Sequence, residues 1–193
     1  YLRKDNMDVF VTGSNAKLLS KDIATEFAGR GDEVHMYPLS FAEFMTIYNG
    51  DKYMGLSEYM LYGGIPLVVL REGANEKAVV LQNLFNEIYL RDIIKRNRVK
   101  NIGELEDLLN ILSSAIGSLT NPEKLKNTFK TVKKSRITSA TIKKYLDCFE
   151  DSFLIESAQR YDIKGKDYIE TPKKYYFSDL GLHNARINFR QFE

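Results

Sequence analysis

Between Gly103 and Phe177 the apolar residues change their period, and that change constrains the fold more than any other feature of the chain. Leu105, Leu108, Leu109, Leu112 and Ile116 recur at helical spacing. Asn121-Pro122 opens a second helical stretch carrying Leu125 and Phe129. Asparagine caps a helix well, and proline is tolerated in its first turn. Thr138 caps a third stretch, with Ile142, Leu146 and Phe149 at i, i+4 and i+7. Residues 154–161 then read as a strand, Lys164-Gly165-Lys166-Asp167 as a hairpin tip, and 174–177 as the returning strand. Three helices followed by a β-hairpin is the order of a winged helix-turn-helix. That domain is expected over 101–186, with a boundary near Lys100-Asn101 and a tail over 187–193.

The first hundred residues have a different texture. Residues 7–11 read as a short apolar strand that Thr12-Gly13-Ser14-Asn15 ends. Ser20 caps a helix carrying Ile23, Ala24 and Phe27, and Gly29 and Gly31 stop it. Residues 33–37 alternate as a second strand. Ser40-Phe41-Ala42-Glu43 is a capping box for a helix running to about Tyr48. Asn49-Gly50-Asp51 is a turn, and a short helix over 57–62 ends at Gly63-Gly64, with Pro66 preventing its resumption. A long helix is predicted over about 76–96. The fold class is α+β, predominantly helical.

Composition excludes several classes. With 44% apolar and 28% charged residues among 193, the chain is neither disordered nor collagenous. No apolar run approaches the roughly 18–20 residues of a membrane span. Cys148 is the single cysteine, so no internal disulfide forms. His35 and His183 lack ligand spacing, and no metal site is expected. There is no G-x-x-x-x-G-K-[ST] phosphate loop; the one Gly-Lys pair, Gly165-Lys166, is followed by Asp167. There is no G-x-S-x-G elbow either. The catalytic residues expected in this chain are therefore none. The cytoplasm is the default compartment. The chain opens without methionine on an apolar strand, which suggests a piece of a longer protein.

Charge is near balance overall, at +2, but its distribution is uneven. Between Thr120 and Leu146 lie Lys124, Lys126, Lys130, Lys133, Lys134, Arg136, Lys143 and Lys144, against Glu123 alone. Such clustering is an electrostatic footprint for phosphate, and double-stranded DNA is the expected partner. With Ile142, Leu146 and Phe149 facing inward, Ser139, Lys143 and in part Lys144 face out near the start of the third helix. Arg136 lies in the turn before it, and Lys164 and Lys166 stand on the wing. A solvated lysine face or a protein contact would use the same residues.

Several motifs in order resemble one family. They are Val9-Phe10-Val11-Thr12-Gly13-Ser14-Asn15-Ala16, Gly29-Arg30-Gly31, Tyr37-Pro38-Leu39-Ser40-Phe41-Ala42-Glu43-Phe44 and Tyr62-Gly63-Gly64-Ile65-Pro66. Tyr89-Leu90-Arg91-Asp92-Ile93, Thr141-Ile142-Lys143-Lys144-Tyr145-Leu146 and Lys174-Tyr175-Tyr176-Phe177-Ser178-Asp179-Leu180-Gly181-Leu182 follow. The set resembles prokaryotic AAA-type P-loop ATPases that carry a C-terminal domain of unknown function. The resemblance implies the last strands of an α/β ATPase core over 1–39 and a helical lid or linker over 40–100. It implies ATP and magnesium as cofactors of the full-length protein, and none for this chain without its phosphate loop. It also implies a nuclease-like segment further on. Thr12, Ser14 and Asn15 match a nucleotide-sensing strand, although the same residues suit a plain turn. Arg30 could reach a phosphate or stand in solvent. Gly64 and Pro66 match a G-x-P element near the nucleotide, or a simple helix stop. An edge left open at 8–11 would favour self-association. The alternative is a stand-alone winged-helix regulator or protein-interaction module.

Overall fold

A computed structural model describes residues 10, 12–13, 34–159 and 172–189. Helix α1 (Phe41–Ile47) starts at the capping box: the Ser40 hydroxyl accepts the Glu43 N–H at 3.3 Å, and the Glu43 carboxylate accepts the Ser40 N–H at 2.8 Å. Those bonds hold the Glu43 carboxyl below its ordinary range. Helix α2 (Lys52–Tyr62) begins earlier than the apolar spacing suggests, because Asp51 accepts the Tyr53 and Met54 N–H groups at 2.8 and 3.1 Å. Gly63, at φ 74°, ends it. Pro66 opens the short α3 (Pro66–Val69).

The long predicted helix is a rod in three parts. Helix α4 (Ala74–Asn83) passes into a π-helical stretch, Leu84–Leu90, and then into α5 (Arg91–Asn97). The rod is fixed to α2 by the ion pair of buried Lys77 with Glu58, the lysine also lying 5.6 Å from the Tyr62 ring centroid. Beyond it come α6 (Ile102–Ser114), α7 (Pro122–Thr128) with a π turn Phe129–Lys133, and α8 (Ser139–Asp151). Strand β1 (Ile155–Ala158) pairs antiparallel with β2 (Lys174–Phe177), in a register from Ile155 opposite Phe177 to Ala158 opposite Lys174. Thr120 adds a single antiparallel bridge to Lys173. Helix α9 (Leu180–Arg186), unforeseen in the sequence, is the last described element.

The apolar stripes read from the sequence meet in one core. Leu105, Leu108 and Leu109 of α6, Ile142, Leu146 and Phe149 of α8, and Leu125 and Phe129 are all buried. Val68, Leu81, Phe85 and Ile93 join the same cluster from the other side of Lys100-Asn101, and Leu182 joins it from α9. Packing is therefore continuous across the predicted boundary.

Two predicted strands come out differently. Residues 34–37 form no strand: Val34 and Met36 are exposed, and no ladder neighbours them among the described residues. Alternation alone does not make a strand, since its backbone groups need a partner. The strand predicted over 154–161 is confined to β1, while Arg160 and Tyr161 lie outside the described residues. The 7–11 strand with its expected open edge, apart from exposed Phe10, also lies outside them, as does the hairpin tip.

The cap on α8 gives a direct check. The Thr138 hydroxyl accepts the Thr141 N–H at 3.2 Å. Thr138→Ala is expected to lower stability by about 1 kcal/mol, the usual worth of such a cap. A shifted urea midpoint with unchanged m-value would register it; an unmoved midpoint would show that the cap contributes nothing.

Candidate functional site

The basic face is carried by α7, the π turn, the turn after it and α8. Helix α8 turns Ile142, Tyr145, Leu146, Cys148 and Phe149 into the core, so Lys143 and Lys144 are left exposed near its start. Arg136 is exposed in the turn ahead of the Thr138 cap, and Lys130 and Lys134 are exposed on the π turn and just past it. Some of the predicted cluster is already neutralised. Lys126 pairs with Glu123 and Lys133 with Asp107, at 2.8 and 2.9 Å. Lys124 donates to the Leu119 carbonyl at 2.9 Å. Ser139 is half-buried and hydrogen-bonds Glu123; with the Lys126 bond, the larger influence, this holds the Glu123 carboxyl below its ordinary range. No ion pair among the described residues engages Lys130, Lys134, Arg136, Lys143 or Lys144. Lys164 and Lys166 lie outside the described residues.

The second concentration of polar groups is buried at Gly64. Its N–H donates to Asp179 at 2.7 Å, and its carbonyl accepts the Leu39 N–H at 2.8 Å. The Leu39 carbonyl in turn accepts the Tyr59 hydroxyl at 2.8 Å. Asp179 is the N-cap of α9 and also accepts the Leu182 N–H at 3.1 Å. Burial holds its carboxyl above the ordinary range, against the opposing pull of backbone N–H bonds. Asn184 donates to the Met60 and Leu61 carbonyls, at 2.9 and 2.8 Å, and so closes the end of α2. His183 sits beside it, with Nε2 2.9 Å from the Ser113 carbonyl. Every partner of Asp179 in this set is a backbone N–H, which suits an anchor more than a reacting group. Pro66 is exposed two residues further on, at the start of α3.

The other predicted site residues are not brought together. Thr12 is exposed, and Ser14, Asn15 and Arg30 lie outside the described residues. A cleft of about 370 Å³ opens between Tyr37 and the two strands, lined by Glu156, Ser157, Tyr176 and Phe177 among others. Among the described residues no lysine or arginine stands in its wall to meet a phosphate. Among the described residues no His/Cys/Asp/Glu group is arranged to hold a metal ion, and no helix is long and apolar enough to cross a membrane. The Asp179–Asn184 ties were missed in the sequence. Their signal was the aspartate directly before Leu180-Gly181-Leu182, an N-cap pattern.

A family model of a domain of unknown function, DUF8612, matches residues 54–193, and a model of an AAA domain matches residues 1–45. An uncharacterized protein of Haemophilus influenzae is 41% identical over 187 residues, covering 94% of this chain and 46% of that protein. An uncharacterized protein of Methanocaldococcus jannaschii is 30% identical over 200 residues, covering 97% of this chain and 44% of that protein. The chain thus spans less than half the length of these curated relatives. No solved structure matches.

Proposed function

Because the chain belongs to the family of the domain of unknown function DUF8612, with an AAA match over residues 1–45, we propose that it is the winged-helix part of an ATPase-derived protein and that it contacts double-stranded DNA. The observation that carries the DNA reading is the start of α8: exposed Arg136, Lys143 and Lys144 stand without ion pairs among the described residues, over a helix whose other face is buried. The helix–helix–helix–hairpin order and the Thr120–Lys173 bridge support the winged-helix reading. Recognition helices of such folds present residues at their N-terminal end to a major groove, with phosphates flanking it.

Nucleotide sensing by Thr12, Ser14, Asn15 and Arg30 rests on the AAA match, which contains all four. Gly64 and Pro66 fall in the DUF8612 segment. There Gly64 ties Leu39, inside the AAA match, to α9. ATP and magnesium enter this reading through the longer protein, where a phosphate loop would hold them. A second reading, a protein-interaction module, draws on exposed Tyr53, Met54, Met60 and Leu70 around α2 and α3.

Fluorescence anisotropy with a labelled duplex at several salt concentrations tests the first reading. Binding should weaken steeply with salt as counterions return to the phosphates. The variant Lys143→Ala/Lys144→Ala should flatten the log–log salt slope by about 2, close to one for each phosphate no longer neutralised. Both lysines are exposed, so the fold should survive. A folded double variant with the wild-type slope rules out α8 as the reading head. No binding by the wild type at about 50 mM salt, where the electrostatic attraction is strong, leaves the protein-contact reading.

A further inference from the structure

Arg98 and Lys134 both lie in the left-handed region, at φ 48° and 51°. Each is a C-cap, Arg98 of α5 and Lys134 of the π turn. Glycine or asparagine takes that position at little cost, whereas a β-carbon crowds the neighbouring carbonyl. The other non-glycine residues at positive φ have local reasons. Phe153 packs against the His35 ring and Phe189 against Tyr62, and Asn188 is a residue type that tolerates the conformation. Arg98 and Lys134 close their helices through N–H bonds to Ile94 and Phe129 among others, and both side chains are exposed there.

A chain of hydrogen bonds carries the two to one end of α6. The Asn101 side chain caps α6 at Glu104, with 3.2 Å to its N–H, and the Asn101 carbonyl accepts the Tyr145 hydroxyl at 3.4 Å. The Glu104 carboxylate accepts the Ser135 hydroxyl at 2.5 Å. Ser135 stands between Lys134 and Arg136, and Tyr145 follows Lys144. The 98–101 loop, the 134–136 turn and α8 therefore converge at the first turn of α6. Asp107 there is paired with Lys133, while Glu104 keeps its charge and accepts the Ser135 hydroxyl. Exposed Arg98 and Lys100, just past the end of the rod at Asn97, extend the basic face beyond the three-helix segment.

We propose that Arg98 and Lys100, together with Lys134, form a second phosphate-binding arm, so that a DNA duplex seated on α8 is also gripped at the end of α5. The proposal rests on the DNA reading of α8. It makes the rod, which packs on α2 and α9, part of the DNA-bound assembly.

The test uses the full chain and the same labelled duplex. Arg98→Ala/Lys100→Ala should flatten the salt slope by about 2, independently of the Lys143/Lys144 pair. Arg98→Gly and Lys134→Gly separate charge from structure: each should melt at or above the wild-type temperature, since glycine relieves the left-handed strain, yet bind DNA more weakly. If Arg98→Ala/Lys100→Ala keeps the wild-type slope while Lys143→Ala/Lys144→Ala flattens it, the second arm is overturned and the α8 reading stands. If the wild type binds no duplex, both fall. A lowered melting temperature for both glycine variants would make these side chains structural caps and overturn the arm. Binding to phosphatidylserine vesicles but not to duplex would assign the face to a membrane surface and overturn it as well.

Discussion

Gly181→Ala is expected to destabilise the protein by about 3 kcal/mol, the upper end of overpacking in a closed contact. Helix propensity alone argues the reverse, since alanine is better than glycine inside a helix by about 1 kcal/mol. The contact decides the sign. A β-carbon at Gly181 would overlap the Tyr62 carbonyl and come within 2.9 Å of Leu81 Cδ2. Leu81 is fully buried, and the end of α2 is held by the bonds of Asn184 to Met60 and Leu61. Neither neighbour can yield without loosening α9, and with it the burial of Leu182 and Ala185. Gly73→Ala is the control. Gly73 has φ 87° and nothing within 4 Å of its added carbon, so it should lose only the left-handed preference, about 1–2 kcal/mol. Urea unfolding followed by circular dichroism would rank the two. Equal midpoints, or a stabilised Gly181→Ala, would refute the account of α9 docking.

Asp179→Asn should cost about 2–3 kcal/mol, the penalty for stranding a buried donor. Both Asp179 oxygens accept backbone N–H groups, from Gly64 on one side and Leu182 on the other. Asparagine offers one oxygen, and its amide would confront the second donor with another donor. Asp179→Ala should be at least as harmful, leaving both N–H groups without an acceptor. The pH dependence carries a sign of its own. Burial raises the folded-state pKa of Asp179 above the ordinary value. A raised pKa means that the native state holds the proton more tightly than the unfolded chain. The contribution is thus fully present below the ordinary aspartate value of about 3.9 and is lost as pH rises through the raised native value. Asparagine does not titrate, so the stability gap between wild type and Asp179→Asn should narrow across that interval. A gap that widens with pH would mean that the backbone bonds outweigh burial.

What the sequence disclosed follows from what a short window can encode. The Ser40–Glu43 box, the Asn121 and Thr138 caps and the stripe of α8 are local, and each is found where spacing places it. The start of α2 was hidden because Gly55 lowers helix propensity and Asn49-Gly50 resembles a turn. Gly55 is there because a β-carbon would collide with Met45 and Tyr48 of α1 and its C-cap. Helix α9 was hidden for a related reason. Gly181, His183 and Asn184 are weak helix formers, and each serves a partner far away in sequence. The basic cluster was legible as composition. The pairing of Lys133 was not, because Asp107 approaches from α6 only in the fold, whereas the i, i+3 pair of Lys126 with Glu123 is local.

The embrace of α2 by α9 also sets a clock. Asn184 reaches back 124 residues to Met60. At a synthesis rate of about 5–20 residues per second, α2 leaves the ribosome roughly 6–25 s before the helix that completes it. Throughout that interval the Gly64 N–H has no Asp179 to meet, and the seat of Leu182 stays open. The nascent chain must therefore carry α1 and α2 unfinished while the rod, the three-helix segment and the hairpin are made. A ribosome that stalls ahead of Leu180 holds a chain in which every other described helix exists and α2 still cannot close.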